Sequence, residues 1–139
     1  MKNDKIGKID ISELNVPPEK HEYETAKYFA KRGYDVEFIG PHYIEGFRNP
    51  DFKMCGKIWE IKSPTSSSNS SFEHNFRKAT SQSENIIFDL RRLNTRTEEK
   101  YIEKLVKGSS SSKIKTLFVI TLDGRLLTIK GKFDNMKVR

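Results

Sequence analysis

An alternating run of polar and apolar residues between positions 51 and 62 constrains the fold of this chain more than any other feature. Two short segments flank Cys55-Gly56 and have the pattern of a β-hairpin with a two-residue turn. In that register Asp51 lies opposite Glu60, with Cβ atoms about 4.5–5.5 Å apart. Lys62 is two residues beyond Glu60 and shares its face. The pattern therefore predicts two carboxylates and an amine on one face.

The opposite face of the hairpin is apolar and is expected to contact the core; its members are Phe52, Met54, Trp59 and Ile61. An ordinary hairpin with a solvated charged face has the same pattern, so these charges alone do not establish a function. Glu22 adds weight to a site because it lies on the apolar stripe of the first helix, where an unpaired carboxylate is costly. A position in the first helical turn also allows Glu22 simply to reach water.

Two neighbouring carboxylates repel each other unless a cation lies between them. Mg²⁺ typically takes one or two carboxylates together with water and phosphate oxygens, and it lowers the pKa of bound water. Asp51 and Glu60 are therefore candidate ligands for a divalent metal, with Mg²⁺ favoured. The ammonium group of Lys62 can orient the nucleophile or stabilise charge on the phosphate. These residue types suit hydrolysis of a phosphodiester bond.

The remaining periodicities predict an α/β (α+β) fold with a mixed central sheet flanked by helices. Residues 1–16 show no strong periodicity and are predicted to form a loosely held N-terminal arm, followed by one domain over residues 17–139. Helices are predicted at 18–32, 71–83 and 97–107, and strands outside the hairpin at 35–39, 85–90, 113–121 and 125–130.

Three local signals set expected boundaries within this layout. Gly33 is expected to end the first helix in a left-handed conformation. Ser70 and Glu73 fit a capping box at the start of the second helix. Gly108 and the serines that follow it are expected to form a flexible joint after the third helix.

The formal net charge of +7 favours a polyanionic partner, either nucleic acid or an anionic protein. Nine Phe, five Tyr and one Trp indicate a folded chain despite the polar composition. The single cysteine, Cys55, excludes an intramolecular disulfide and a Cys-rich zinc site. No apolar run approaches the length of a membrane span, and the first residues lack the apolar stretch of a secretory signal.

Several other residues are candidates for substrate contact. Lys78 and Gln82 share a stripe of the second helix with Asn75 and can line a substrate groove, although a solvated helix face is equally consistent with the pattern. Arg91 and Arg92 follow a predicted buried strand and are candidates for phosphate contacts. The three histidines, at positions 21, 42 and 74, have no partner at a recognisable spacing and are interpreted as structural or exposed.

Pro50-Asp51 followed by Trp59-Glu60-Ile61-Lys62 resembles the signature of the PD-(D/E)XK nuclease superfamily. A longer set of segments is similar, more specifically, to the C-terminal tRNA-nuclease toxin domains of contact-dependent growth inhibition proteins. It covers roughly residues 17–93 and comprises His21-Glu22, Gly33-Tyr34-Asp35-Val36, Pro50-Asp51-Phe52, Trp59-Glu60-Ile61-Lys62-Ser63-Pro64, Arg77-Lys78-Ala79, Gln82 and Asn85-Ile86-Ile87-Phe88-Asp89-Leu90.

The resemblance implies an αβββαβ core and metal-dependent cleavage of nucleic acid. It implies metal ligands at Asp51 and Glu60, a catalytic lysine at Lys62, an acid on the first helix at Glu22 and a polar group facing the site at Gln82. It also implies a toxin-like ribonuclease with tRNA as favoured substrate, a cytoplasmic site of action after delivery from another cell, and a cognate immunity protein. A DNA endonuclease of repair or mobile-element type, and a non-catalytic nucleic-acid-binding module, remain alternatives.

Overall fold

The computed structural model describes residues 5–40, 51–110 and 112–131. Within this part of the chain a seven-stranded sheet runs in the order β1 to β7, and helices pack on it, as the sequence predicted. The elements are β1 (Ile9–Asp10), α1 (Lys20–Lys31), β2 (Val36–Phe38), β3 (Phe52–Met54), β4 (Lys57–Lys62), α2 (Asn69–Gln82), β5 (Asn85–Asp89), a 3₁₀ turn (Thr95–Thr97), α3 (Glu98–Ser110), β6 (Thr116–Ile120) and β7 (Leu126–Lys130). His42, Pro50 and the basic segment from residue 132 lie outside the described residues.

The β3–β4 hairpin has the predicted register. Phe52 pairs with Trp59 and Met54 with Lys57, and the strands are antiparallel. Cys55 and Gly56 both have positive φ, 55° and 75°, as a two-residue turn with left-handed residues at both positions requires. The register places the predicted apolar set on one face of the sheet and the predicted charged set on the other.

Strands β4, β5 and β6 are parallel, whereas β7 returns antiparallel to β6. The carboxyl ends of β4 and β5 therefore meet at one edge of the sheet, with Lys62 paired to Phe88 and Asp89 paired to Ile120. Crevices at the carboxyl ends of parallel strands are where open α/β sheets commonly bind ligands.

Apolar side chains cover both faces of the sheet. On one face α1 contributes Ala26 and Phe29 to a core that contains the hairpin residues Phe52, Met54, Trp59 and Ile61, all of them buried. The opposite face is covered by α2 and α3 through Phe72, Ala79, Tyr101 and Leu105. Ile86, Phe88, Leu117 and Val119 belong to this second core, and Ile87, Phe118 and Ile120 to the first. The central strands are therefore buried on both sides, which explains their almost continuous apolar sequence.

The prediction of a loosely held arm is wrong for the described residues around β1. Ile9 and Asp10 pair in parallel with Val36 and Glu37 as an edge strand. Backbone bonds hold the segment further, since Gly7 N donates to Ala30 O at 2.7 Å and Val36 N donates to Lys8 O at 2.8 Å. These contacts depend on the backbone, so a two-residue strand leaves little periodic signal in the sequence.

Two helix boundaries also differ from the predictions. The N-cap of α2 is Ser68, whose side chain accepts a hydrogen bond from Ser71 N, and not Ser70. Helix α3 continues through Gly108 to Ser110, where a flexible joint was expected. A Cβ at position 108 would lie 2.9 Å from the ring of Phe76, so glycine permits close packing of α3 on α2. Gly33 follows the helix end with φ of 96°, as predicted.

None of the described helices has the length and apolar character needed to cross a membrane.

We expect Gly7→Ala to detach β1, because a Cβ at this position would lie 2.0 Å from Tyr34 O. The substitution should lower the free energy of unfolding by about 1–3 kcal/mol, a typical cost of a backbone clash. Hydrogen exchange at the amide of Val36, which donates to Lys8 O, should accelerate. Lys8→Ala is the control, because it removes only an exposed side chain and leaves the backbone bonds intact. Equal exchange in both variants would contradict a bound β1.

Candidate active site

The charged face of the hairpin opens into a polar cavity of about 420 Å³ at the end of β4. Asp51, Glu60, Lys62 and Gln82 line it, and Glu22 and His21 reach it from α1. Asn75 of α2, which is on the same helix stripe as Gln82, also contributes to the lining. The structure therefore brings together four residues that the sequence analysis named as catalytic: Glu22, Asp51, Glu60 and Lys62.

Asp51 and Glu60 form an electrostatically strained pair. Burial raises the pKa of Glu60 to about 7, although Lys62 acts in the opposite direction. Burial and the neighbouring Glu60 raise the pKa of Asp51 well above its usual range, although the N–H of Ile61 donates to Asp51 Oδ2 at 2.7 Å. Without a cation the pair therefore tends to retain a proton near neutral pH.

Glu60 has one carboxylate oxygen with partners and one without. Its Oε2 lies 3.1 Å from Lys62 Nζ, and only 4% of its side chain is exposed. Its Oε1 is buried and has no hydrogen-bond partner among the described residues. An unpaired, buried carboxylate oxygen is unusual and indicates that a further group can bind there.

Gln82 contacts this cluster through its side-chain amide. Its Oε1 lies 3.3 Å from Lys62 Nζ; with the amide turned over, the nitrogen donates to Glu60 Oε2 at 3.0 Å and to Lys78 O at 3.1 Å. We assign the second orientation because it satisfies two acceptors. Lys78 contributes only its backbone here, since its side chain is exposed and does not line the cavity. A role for Lys78 in substrate binding stays a prediction.

Glu22 takes part in helix capping as well as lining the cavity. Its Oε1 accepts a hydrogen bond from Glu19 N at 3.3 Å as the N3 residue of a capping box. Its charge also raises the pKa values of Asp51 and Glu60, a smaller effect than their burial. Glu22 therefore contributes negative potential to the site while its carboxylate is bound to its own helix terminus.

The donor set fits a hard divalent cation in part. In the described ranges no three His, Cys, Asp or Glu side chains form a ready-made metal site. Asp51 and Glu60 nevertheless supply two carboxylates, one with an unpaired oxygen, and Mg²⁺ commonly uses one or two carboxylates and fills its other positions with water and substrate phosphate. The pair can hold such an ion, and Glu22 is a third carboxylate that lines the same cavity.

Two residues at this site were not recognised from the sequence. His21 was interpreted as structural or exposed, yet it lies between this cavity and a second one, with its Nδ1 3.7 Å from Glu19 Oε1. Ser63 lines both cavities, and its buried Oγ has no partner among the described residues. In the sequence both residues belong to segments that carry the family resemblance, His21-Glu22 and Trp59-Glu60-Ile61-Lys62-Ser63-Pro64, but neither was assigned to the site.

Comparison with known proteins identifies related domains. The family model described as the contact-dependent growth inhibition CdiA C-terminal domain matches residues 48–126, more than half of the 139-residue chain. The fold is similar to a chain of the CdiA-CT/CdiI toxin and immunity complex from Burkholderia pseudomallei, with a TM-score of 0.66 and 20% sequence identity. That alignment covers 89% of this chain and 99% of the other. No significant match was found among curated protein sequences.

The raised pKa of Glu60 gives a pH-dependent prediction for protein kept in EDTA. The pKa of Glu60 is about 7 in the folded state and 4.5 in the unfolded state, so the folded protein binds this proton more tightly. The resulting stabilisation is complete below pH 4.5 and is lost as the pH rises through 7. Glu60→Gln should therefore raise the unfolding free energy at pH 8 by on the order of 2–3 kcal/mol, and by much less at pH 4. Glu103→Gln, at an exposed carboxylate on α3, is the control. Both variants are compared with the wild type by thermal unfolding across this pH range. If Glu60→Gln and Glu103→Gln show no pH-dependent difference, the electrostatic cost of ionising Glu60 is contradicted.

Proposed function

Because this chain belongs to the family of contact-dependent growth inhibition CdiA C-terminal domains, we propose that it is a toxin domain with metal-dependent nuclease activity. RNA is the proposed substrate class, with tRNA favoured. One observation carries the proposal: Asp51 and Glu60 lie together at the end of β4 with Lys62 Nζ 3.1 Å from Glu60 and a buried Glu60 oxygen unpaired. A structural ion pair does not need a second buried carboxylate, and burial raises the pKa of both acids.

Asp51 and Glu60 are the proposed ligands of a divalent cation, favoured to be Mg²⁺. When bound, this ion supplies a water of lowered pKa and neutralises charge on the scissile phosphate. Lys62 is positioned by Glu60 to orient the attacking water and to offset negative charge that develops on the phosphate. Gln82 fixes Glu60 by donating to its Oε2, and Glu22 adds an acid at the rim. This arrangement is the one expected of the PD-(D/E)XK superfamily.

The net charge and the family resemblance both support nucleic acid as the substrate. The net charge of +7 favours a polyanion, and electrostatic attraction to phosphates supplies most non-specific affinity for nucleic acid. Carboxylates and a lysine around a metal can hydrolyse either RNA or DNA, so the preference for tRNA comes from the similarity of this sequence to tRNA-nuclease toxin domains. A DNA endonuclease is the alternative that uses the same residues.

Purified protein is expected to cleave a total tRNA preparation in Mg²⁺ and to lose this activity in EDTA. Asp51→Asn should reduce the cleavage rate by about 10³-fold or more, because one metal ligand loses its charge. The amide oxygen can still accept from Ile61 N, so the thermal unfolding midpoint should stay close to that of the wild type. Rates are measured by gel electrophoresis of labelled tRNA, with Glu103→Gln as an exposed-carboxylate control.

Plasmid DNA is tested in parallel with the tRNA. Cleavage of plasmid but not tRNA would replace the RNA proposal with the DNA endonuclease. Metal-independent binding of both polymers without cleavage would indicate a binding module. Cleavage of tRNA by Asp51→Asn at the wild-type rate would show that this carboxylate is not a metal ligand.

A cognate immunity protein with an acidic surface is proposed as partner. The structurally similar chain comes from a complex of toxin and immunity proteins, and an acidic partner would complement the charge of +7. Inducible expression of this chain in a bacterial host should arrest growth, whereas Asp51→Asn should not. Co-expression of a candidate immunity protein should restore growth and bind the chain with salt-dependent affinity. A candidate that restores growth without binding would not be the immunity protein.

A further inference from the structure

A second cavity, of about 450 Å³, lies beside the candidate active site at the carboxyl ends of β4 and β5. It is on the α1 side of the sheet and shares His21 and Ser63 with the first cavity. Its other lining residues are Lys20, Glu24, Asp89, Arg91 and Arg92. The two cavities therefore adjoin at His21 and Ser63.

Arg91 is held rigidly in the wall of this cavity. Its guanidinium donates to both oxygens of Asp89, at 2.9 and 2.7 Å, and to Glu24 O at 3.2 Å. Asp89 is in turn fixed by the hydroxyl of Thr25 at 2.6 Å, and the guanidinium lies over the ring of Tyr28 with 5.1 Å to its centroid. With 31% of its side chain exposed, Arg91 presents a fixed guanidinium to the cavity, although Asp89 offsets much of its charge.

Arg92 and Ser63 connect the two cavities. One guanidinium nitrogen of Arg92, Nη1, donates to Ser63 O at 3.0 Å, which places the exposed cation next to the residue that follows Lys62. The Ser63 hydroxyl is buried without a partner among the described residues, and it lines both cavities. A buried hydroxyl of this kind is available to donate to an acceptor oxygen of a ligand.

The balance of charge in the cavity favours an anion. The carboxylate of Asp89 is already paired with Arg91. Glu24 lies 3.4 Å from Lys27, an exposed pair that offsets part of its charge. Lys20 and Arg92 then remain as exposed cations on the cavity wall, beside the partly exposed Arg91.

We propose that Lys20, Ser63, Arg91 and Arg92 form a subsite that binds a phosphate of the nucleic-acid strand next to the scissile one. This inference rests on the proposed nuclease function and adds a specific strand path, from Asp51 and Glu60 across Ser63 to the guanidinium groups. A phosphate suits the subsite because arginine guanidinium groups and a hydroxyl are common phosphate donors. An acidic protein surface is the competing ligand, and the test separates the two.

Binding is measured in the non-cleaving Asp51→Asn background with fluorescein-labelled single-stranded RNA of eight nucleotides, by fluorescence anisotropy over a range of salt concentrations. The double substitution Lys20→Gln with Arg92→Gln should raise Kd about tenfold and lower the salt slope by about one to two, as expected for two lost phosphate contacts. Lys20→Gln alone leaves the bond from Arg92 to Ser63 in place and should raise Kd about threefold. Arg91 is not substituted because its loss would leave buried Asp89 unpaired.

The matched control is Lys113→Gln with Lys115→Gln, which removes the same charge from exposed lysines at the opposite end of β6. This control should change Kd less than twofold. Equal weakening by both double variants would overturn the subsite, because it would indicate a diffuse effect of net charge. Affinity unchanged by the Lys20 and Arg92 substitutions would also overturn it.

Poly-L-glutamate serves as a competing anion without phosphate. If the subsite double variant loses affinity for poly-L-glutamate but not for RNA, the surface recognises acidic protein and the proposal is wrong. The nuclease proposal is judged separately, by cleavage of tRNA by the wild-type chain. Loss of RNA affinity in the subsite variant together with absent wild-type cleavage would support the phosphate subsite and contradict the nuclease.

Discussion

The register of the β3–β4 hairpin is the constraint on which the site depends. Asp51 N donates to Trp59 O at 2.9 Å, and Asp51 Oδ2 accepts from Ile61 N at 2.7 Å, so backbone and side chain of one residue both fix the strand pair. A slip of one residue would exchange the faces of every side chain on the strand. Trp59 would then leave the core, and Glu60 would enter it on the side of α1. The burial of the Trp59 indole and the alignment of the two carboxylates therefore depend on the same strand register.

The same register imposes an electrostatic cost on the fold. Glu60 is almost fully buried, and both it and Asp51 have raised pKa values because desolvation disfavours their charged forms. Lys62 offsets part of this cost but cannot satisfy both acids. Strain of this kind is maintained when the surrounding structure fixes it, and here the apolar cores on both faces of the sheet do so. The proposed divalent cation would compensate for this negative charge.

Short-range patterns were sufficient to predict most of the sheet and the convergence of Asp51, Glu60 and Lys62. Alternation with a period of two, a two-residue turn and the apolar run before Asp89 are local properties, and each corresponds to an element that the structure contains. What the sequence did not reveal depends on contacts between distant segments. Strand β1 is fixed by backbone pairing with β2, and the last turn of α3 is possible because Gly108 lies against Phe76. Neither contact leaves a periodic signal.

The roles of Arg91 and Ser63 required the three-dimensional arrangement for the same reason. A basic pair after a strand can contact phosphate anywhere on a protein surface, and only the position of Asp89 beneath Thr25 and Tyr28 shows that Arg91 is held in place.

The end of β4 lies where the two cavities adjoin. Lys62 faces the cavity beside α2, whereas Ser63 also lines the cavity beside α1. Ser63 and His21 therefore lie between a carboxylate cluster that can hold a cation and a guanidinium cluster that can hold an anion. A polymer with regularly spaced phosphates matches both environments, because one phosphate can approach the cation while its neighbour contacts the arginines. A small anion would fill only one of the two cavities, so their adjacency suits the nucleic-acid substrate that we propose.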